Sequence, residues 1–296
     1  MKKSVTTIIL FFLFSQICTG QSPIYPITFS DRDETDHWDK MVDVPWRNSR
    51  PMVEFSYGYN MPKHKRFQGE FSKIGFAEIK LGYSRIQSFQ KNFQEMNESF
   101  FLASYSSKDI NEFDKDESID KVGTEYIRFG GGSRDGYGYI LSPSTFLFPY
   151  YQTHFSFTKV TSTRPDSITF NDADILERYE GSYRFSNGFD GGLRFVVSKS
   201  VGLTASYEAT VIYPRIVFFR WLAGGIVQNI TVGIVSFFGK EIVDTGHWMG
   251  PVMYALLKNG ASYAVYLGMK EKMNWPFKSE TPLTNETFKL NLSITF

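Results

Sequence analysis

The 296-residue chain has one cysteine, Cys18, and it falls in a segment built for removal. Lys2 and Lys3 precede the apolar run Ile8–Phe14, and Cys18, Thr19 and Gly20 supply small residues ahead of Gln21. That order reads as a secretory signal peptide over residues 1–20, too short for a membrane span. Ile17 is bulky where a lipoprotein signal needs a small residue before its cysteine, so the lipid-anchor reading is set aside. Without Cys18 the exported chain lacks disulfides, a cysteine nucleophile and thiolate metal ligands. Net charge is nearly absent too: 32 basic and 31 acidic residues leave +1, so no global field recruits nucleic acid. With four histidines, and Asp31, Asp33, Asp36 and His37 lacking the spacing of a calcium loop, neither a metal nor a cofactor is expected. The glycine-rich stretch at 129–138 lacks the lysine of a phosphate loop and reads as permitting a tight turn and close strand approach.

What the chain has in excess is aromatic surface. Phe, Tyr and Trp make up 17% of residues, yet mean hydropathy is only −0.25, the combination that results when every second residue faces lipid and the others face water. Residues 21–50 are acidic and aperiodic and read as a flexible periplasmic leader. From 51 onward period-two alternation recurs. At 53–60, Val53, Phe55, Tyr57 and Tyr59 oppose Glu54, Ser56, Gly58 and Asn60; at 77–84, Ala77, Ile79, Leu81 and Tyr83 oppose Glu78, Lys80, Gly82 and Ser84. Segments 151–158 and 201–210 behave alike, with weaker examples at 99–106, 124–130, 136–142, 181–197 and 262–269. A soluble β-sandwich would bury Val and Ile and show fewer aromatics on strands of this length; closure into a barrel satisfies every backbone group in lipid.

The last strand-like segment, 287–296, carries Phe288, Leu290, Leu292, Ile294 and Phe296 at alternate positions. It resembles the closing strand of bacterial outer-membrane β-barrel proteins. The resemblance implies an all-β fold, a transmembrane antiparallel barrel over 51–296 in the outer membrane of a Gram-negative-type bacterium. It also implies the barrel-assembly machinery as partner during biogenesis, and outer-membrane lipid and lipopolysaccharide around the wall. The segments add up to about ten strands, with eight or twelve as alternatives.

One region breaks the pattern. Residues 214–259 are apolar and helix-like: Ile226, Ile230, Ile234 and Phe237 recur at helical spacing, Gly224-Gly225 interrupts, and Pro251 sits where a helix accepts proline. They read as a helical insertion before the last two strands. Gly224, Gly225, Gln228 and Asn229 argue against a transmembrane helix at 216–238, and a further strand at 226–238 is the other alternative. If Phe296 ends on the periplasmic side, two strands after the insertion place it on the periplasmic side or in the lumen. Phe218, Phe219, Trp221, Ile234 and Phe237 are then expected to form a plug or cap, open to a periplasmic partner.

Strand parity assigns Glu54, Glu78, Lys80, His154, Arg194, Glu208, Lys270 and Lys289 to the lumen. His154 and Ser156, one pleat apart, are weak candidates for hydrolase chemistry without its local signature; His247 reads as a turn between helices. Three functions follow. The first is passage of small or amphipathic solutes with the helices as plug, the second a non-transporting structural or envelope-binding barrel with a filled lumen, and the third a lipid-modifying hydrolase using His154 and Ser156.

Overall fold

The computed structural model describes residues 49–90, 92–110, 120–198, 200–215 and 218–296. The segment expected to be a signal peptide, with Cys18, all but the end of the expected leader, and the Asp31–His37 cluster lie outside the described residues. Eight antiparallel strands close into a barrel: β1 (Arg50–Lys63), β2 (Ile74–Gln90), β3 (Phe93–Ser107), β4 (Gly123–Ser142), β5 (Thr145–Thr163), β6 (Tyr183–Ser198), β7 (Val201–Ile212) and β8 (Leu283–Thr295). Closure is made by β8, which pairs β7 on one side and β1 on the other, with Phe55 opposite Leu292 and Tyr59 opposite Phe288. The Tyr59 and Phe288 rings stack at 5.5 Å on the outer face. Three connections, after β2, β4 and β6, are two residues long and share one rim with the chain's C-terminus; the longer ones, after β1, β3, β5 and β7, share the other.

The count is eight, the lower of the alternatives to about ten, for two reasons. Segments 124–130 and 136–142 are one continuous strand, because the glycines read as a turn keep extended backbone within β4. A Cβ on Gly132 would lie 2.3 Å from the Thr153 carbonyl oxygen. Glycine therefore serves close strand approach here, not chain reversal. Segment 262–269 is helical. It ends α3 (Gly250–Met269), whose buried residues Tyr254, Ala255, Lys258, Ser262, Val265, Tyr266 and Met269 recur at the helical period.

The insertion is accordingly longer than 214–259 and precedes only β8. Helix α2 (Phe218–Asp244) runs unbroken through Gly224-Gly225; a turn containing His247 and Gly246, at φ 72°, leads to α3 with Pro251 in its first turn. Both helices lie against the outer face of the wall, not in the lumen. Helix α3 crosses the row Asp135, Tyr151, Gly191, Tyr207, Phe288, which are register neighbours on β4 through β8. Val265, Tyr266 and Met269 bury Tyr151, Phe189, Ala209 and Val211 there. Helix α2 packs on α3 and descends from the long-connection rim, where Gly224 abuts Asn274 and Trp275, to the short-connection rim, where Gln90 Nε2 donates to the Asp244 carbonyl at 3.0 Å. The plug is thereby corrected. Phe219, Ile234 and Phe237 are exposed on the outside, and the side chains of Phe218 and Trp221 lie outside the described residues. With a single strand after it, the insertion also begins at the rim opposite Phe296, which reverses the parity argument.

The lumen is closed by other elements. At the long-connection rim, Ile74, Tyr126, Val160, Ile212 and Leu283 pack with Ile175 and Tyr179, which come from a short helix α1 (Phe170–Glu177) and the residues after it. Thr169 caps α1 by accepting from the Asp172 amide, and Asp172 accepts from the amides of Gln68 and Gly69 at 3.0 and 3.1 Å. At the other rim Met96, Phe148 and Val196 fill the lumen. A single β4 predicts slow amide exchange throughout Gly130–Gly136; rapid exchange confined to those residues would restore a turn and a ten-strand wall.

Candidate functional site in the lumen and on the wall

Between the two apolar lids the inward residues are charged. Glu54, Glu78, Glu98, Asp190 and Glu208 face Lys80, Arg128, Arg134, Arg194 and Lys289, all ten buried. Five carboxylates meet five cations, and every one belongs to a continuous chain of contacts. From the short-connection rim upward, Arg194 pairs Glu98, and Arg134 bridges Glu98 at 2.9 Å and Glu54 at 2.7 Å. Lys80 reaches Glu54 at 2.9 Å and Glu78 at 3.5 Å. Arg128 then joins Glu78, at 2.8 Å, to Glu208, and Lys289 closes on Glu78, Glu208 and Asp190. Aromatic faces take up part of the cationic surface: Arg134 sits 4.7 Å from the Tyr150 ring centroid and Lys80 5.0 Å from Phe100. A cavity of about 10 Å³ beneath the upper lid, lined by Arg128, Thr158, Thr210 and Asn285 among others, holds at most one water.

Among the residues assigned inward by parity, Glu54, Glu78, Lys80, His154, Arg194, Glu208 and Lys289 all line this lumen. Lys270 does not. It follows α3 on the outer wall and pairs Glu286 at 2.6 Å. Sequence reading missed Glu98, Arg128, Arg134 and Asp190. Arg134 was hidden inside the supposed turn, whereas Arg128 and Asp190 fall on the inward parity of segments already read as strands. His154 and Ser156 share the lumenal face, but Ser156 Oγ bonds Ser186 Oγ at 2.8 Å. His154 Nε2 lies by Thr210 Oγ1 at 3.3 Å and the Arg128 guanidinium at 3.5 Å. No hydrogen bond joins the histidine to the serine among the described residues, and both are buried. The geometry of a nucleophile and its base is not formed.

A second polar cluster lies on the outer wall. Asp135 follows Arg134 on β4 and so points outward, where α3 supplies Lys258, its Nζ at 2.8 and 2.7 Å from the two carboxylate oxygens, and the Tyr254 hydroxyl, which donates at 2.5 Å. One turn on, Asn259 Nδ2 donates to the Tyr150 carbonyl at 2.9 Å. Gly191 makes room, since a Cβ there would lie 2.2 Å from the Asn259 amide oxygen.

Above the upper lid, His64 Nε2 lies 3.2 Å from the Thr281 carbonyl, while Nδ1 accepts from the Arg66 amide at 3.3 Å. The neutral ring with its proton on Nε2 satisfies both. Burial, seconded by Arg66 and Arg178, holds its pKa below the ordinary histidine value against the opposing pull of the Thr281 carbonyl and Asp172.

No family model and no curated protein matches the chain. Solved structures similar in shape include neisserial surface protein A (TM-score 0.38, 9% identity, covering 83% of this chain and 97% of that one). The attachment invasion locus protein Ail of Yersinia pestis is another (0.32, 9%, 84% and 99%), as is Ail in complex with the heparin analogue sucrose octasulfate (0.33, 9%, 84% and 99%). At these TM-scores the likeness carries no information about activity.

Arg134→Met leaves Glu54 and Glu98 buried and underpaired, and is expected to cost about 3–5 kcal/mol in urea unfolding of the folded barrel; adding Glu54→Gln should recover part of that loss. Because the folded state depresses His64, its contribution is present above about pH 6.5 and lost as pH falls. Protease nicking of loop 64–73 should therefore be faster at pH 5 than at pH 7.5, and His64→Gln should abolish the difference.

Proposed function

We propose that the protein is an integral outer-membrane β-barrel that does not conduct, serving as a structural or envelope-binding element of the cell surface. The observation that carries this reading is the lumen, in which five acid and five basic side chains pair with one another between two apolar lids. An eight-stranded wall encloses only as much space as side chains fill. A solute path would require breaking that network, and the helices first read as its gate lie on the other side of the wall.

Membrane residence is supported by the outer skin. Phe101 and Leu290 are each 70% exposed, and Phe55, Leu81, Leu193 and Leu203 continue the apolar surface around the wall. A soluble protein rarely presents a band of this kind. The contrast between short and long connections favours an orientation with the short ones periplasmic. Phe296 and the hairpin tip, with Trp248 69% exposed, then belong to the periplasmic rim, and α1 with its lid to the outside. In that orientation the tip is the part of the insertion a periplasmic partner reaches.

Purified protein reconstituted in planar bilayers should give closed traces at all applied voltages, while the same preparation shifts its gel mobility on boiling as folded barrels do. Steady single-channel currents from heat-modifiable protein would overturn the non-conducting reading.

A further inference from the structure

The exposed face of α2 is the largest feature that a sealed barrel leaves unexplained. We propose that α2 and α3 form a hairpin embedded in the hydrocarbon layer beside the barrel, with α2 facing lipid acyl chains and the Asp135–Lys258 pair acting as the clamp that holds it to the wall. The proposal rests on membrane residence of the barrel and adds a helical membrane crossing to it.

Three observations carry it. First, α2 is apolar where it is exposed: Ile226, Ile230, Ile234, Phe237 and Phe238 all point away from the protein, Ile234 at 66% and Phe237 at 68% exposure. Only 12% of the apolar 18-residue window within Gly224–Asp244 is buried, unlike the core helix of a soluble domain. Second, its length fits. Residues 221–239, between Arg220 and Lys240, carry no charge; at about 1.5 Å per residue they extend about 28 Å, against a hydrocarbon thickness of about 30 Å. The helix runs from one rim of the barrel to the other, so its apolar face continues the exposed apolar band of the wall.

Third, the polar chemistry is what a helix in lipid requires. Lys258 is the single charged residue in α3, and Asp135 projects outward from mid-barrel. Either one alone in hydrocarbon is costly. Docked, they neutralise each other with the Tyr254 hydroxyl completing the carboxylate's contacts, and Asn259 Nδ2 likewise bonds inside the protein, to the Tyr150 carbonyl.

The test places a bimane-labelled cysteine at Ile234 or, as a wall control, at Leu193, in a Cys18→Ser background, in bilayers with nitroxide-labelled acyl chains or with iodide in the buffer. Acyl-chain quenching at both sites and iodide quenching at neither is the expected result. Quenching at Leu193 with iodide access at Ile234 would overturn the embedded hairpin while leaving the membrane barrel intact; Ile234 shielded from both quenchers would also overturn it, by placing a protein surface such as a second copy on α2. Iodide access at both sites would sink the barrel reading itself. The clamp is tested by Lys258→Met and Asp135→Asn, each expected to lose acyl-chain quenching at Ile234 in protein that remains heat-modifiable, with the double variant regaining it. Singles that leave the signal unchanged would remove the pair's role.

Discussion

An eight-stranded wall leaves a lumen with room for side chains and almost none for water, and the rest of the molecule answers to that constraint. Period-two alternation delivers polar residues to the inside whether or not solvent is there to receive them. Each of Glu54, Glu78, Glu98, Asp190 and Glu208 would be severely penalised alone, and each meets at least one cation within 3 Å. Such a network need not be more stable than an apolar filling of equal volume. Its value here is register. A slip of one residue in any strand but β5, which carries none of the ten charges, turns that strand's charges out of the network and onto the outer skin, so the paired arrangement is well separated from its neighbours in free energy.

Strand β4 shows how inside and outside are tied together. Arg134 and Asp135 are consecutive and therefore point to opposite faces. Arg134 joins Glu54 to Glu98 in the lumen, and Asp135 receives Lys258 and Tyr254 from the helix outside. The glycines just before them let β5 approach closely, so both charged side chains are held at a fixed point of a rigid wall. One strand thus sets the lumenal network and the docking position of α3, and neither can shift without the other.

Much of this was legible from parity alone. Once a segment such as 77–84 is read as a strand, the inward placement of Glu78 and Lys80 follows from the pleat. What parity could not supply was where strands end. Gly130, Gly131 and Gly132 carry the composition of a turn, and only the crowded surface of β5 opposite them explains their presence in a strand; that ambiguity concealed Arg134 and Asp135 together. At 262–269 a short apolar window fits either period. The longer stripe from Tyr254 through Lys258, Ser262 and Tyr266 to Met269 decides for helix, and its misreading as a strand is what turned the insertion to the wrong rim. Helix α1 left little signal, since its stability comes from a threonine cap and from Asp172 binding the backbone of a loop about a hundred residues earlier.

The weak hydropathy of α2 then acquires a physical sense. Its 18-residue apolar window has a mean hydropathy of 1.3, marginal for a membrane span, and Gly224, Gly225, Gln228 and Asn229 stand where a self-sufficient helix would carry leucine. An exported chain with a stronger segment would risk arrest in the first membrane it met. On the proposed embedding, a segment this weak, whose partner helix bears a lysine, becomes compatible with lipid beside a wall that offers Asp135 in the right place. In that proposed embedding the folded barrel supplies the wall, and the lysine that disfavours insertion of the hairpin alone selects its seat beside Asp135.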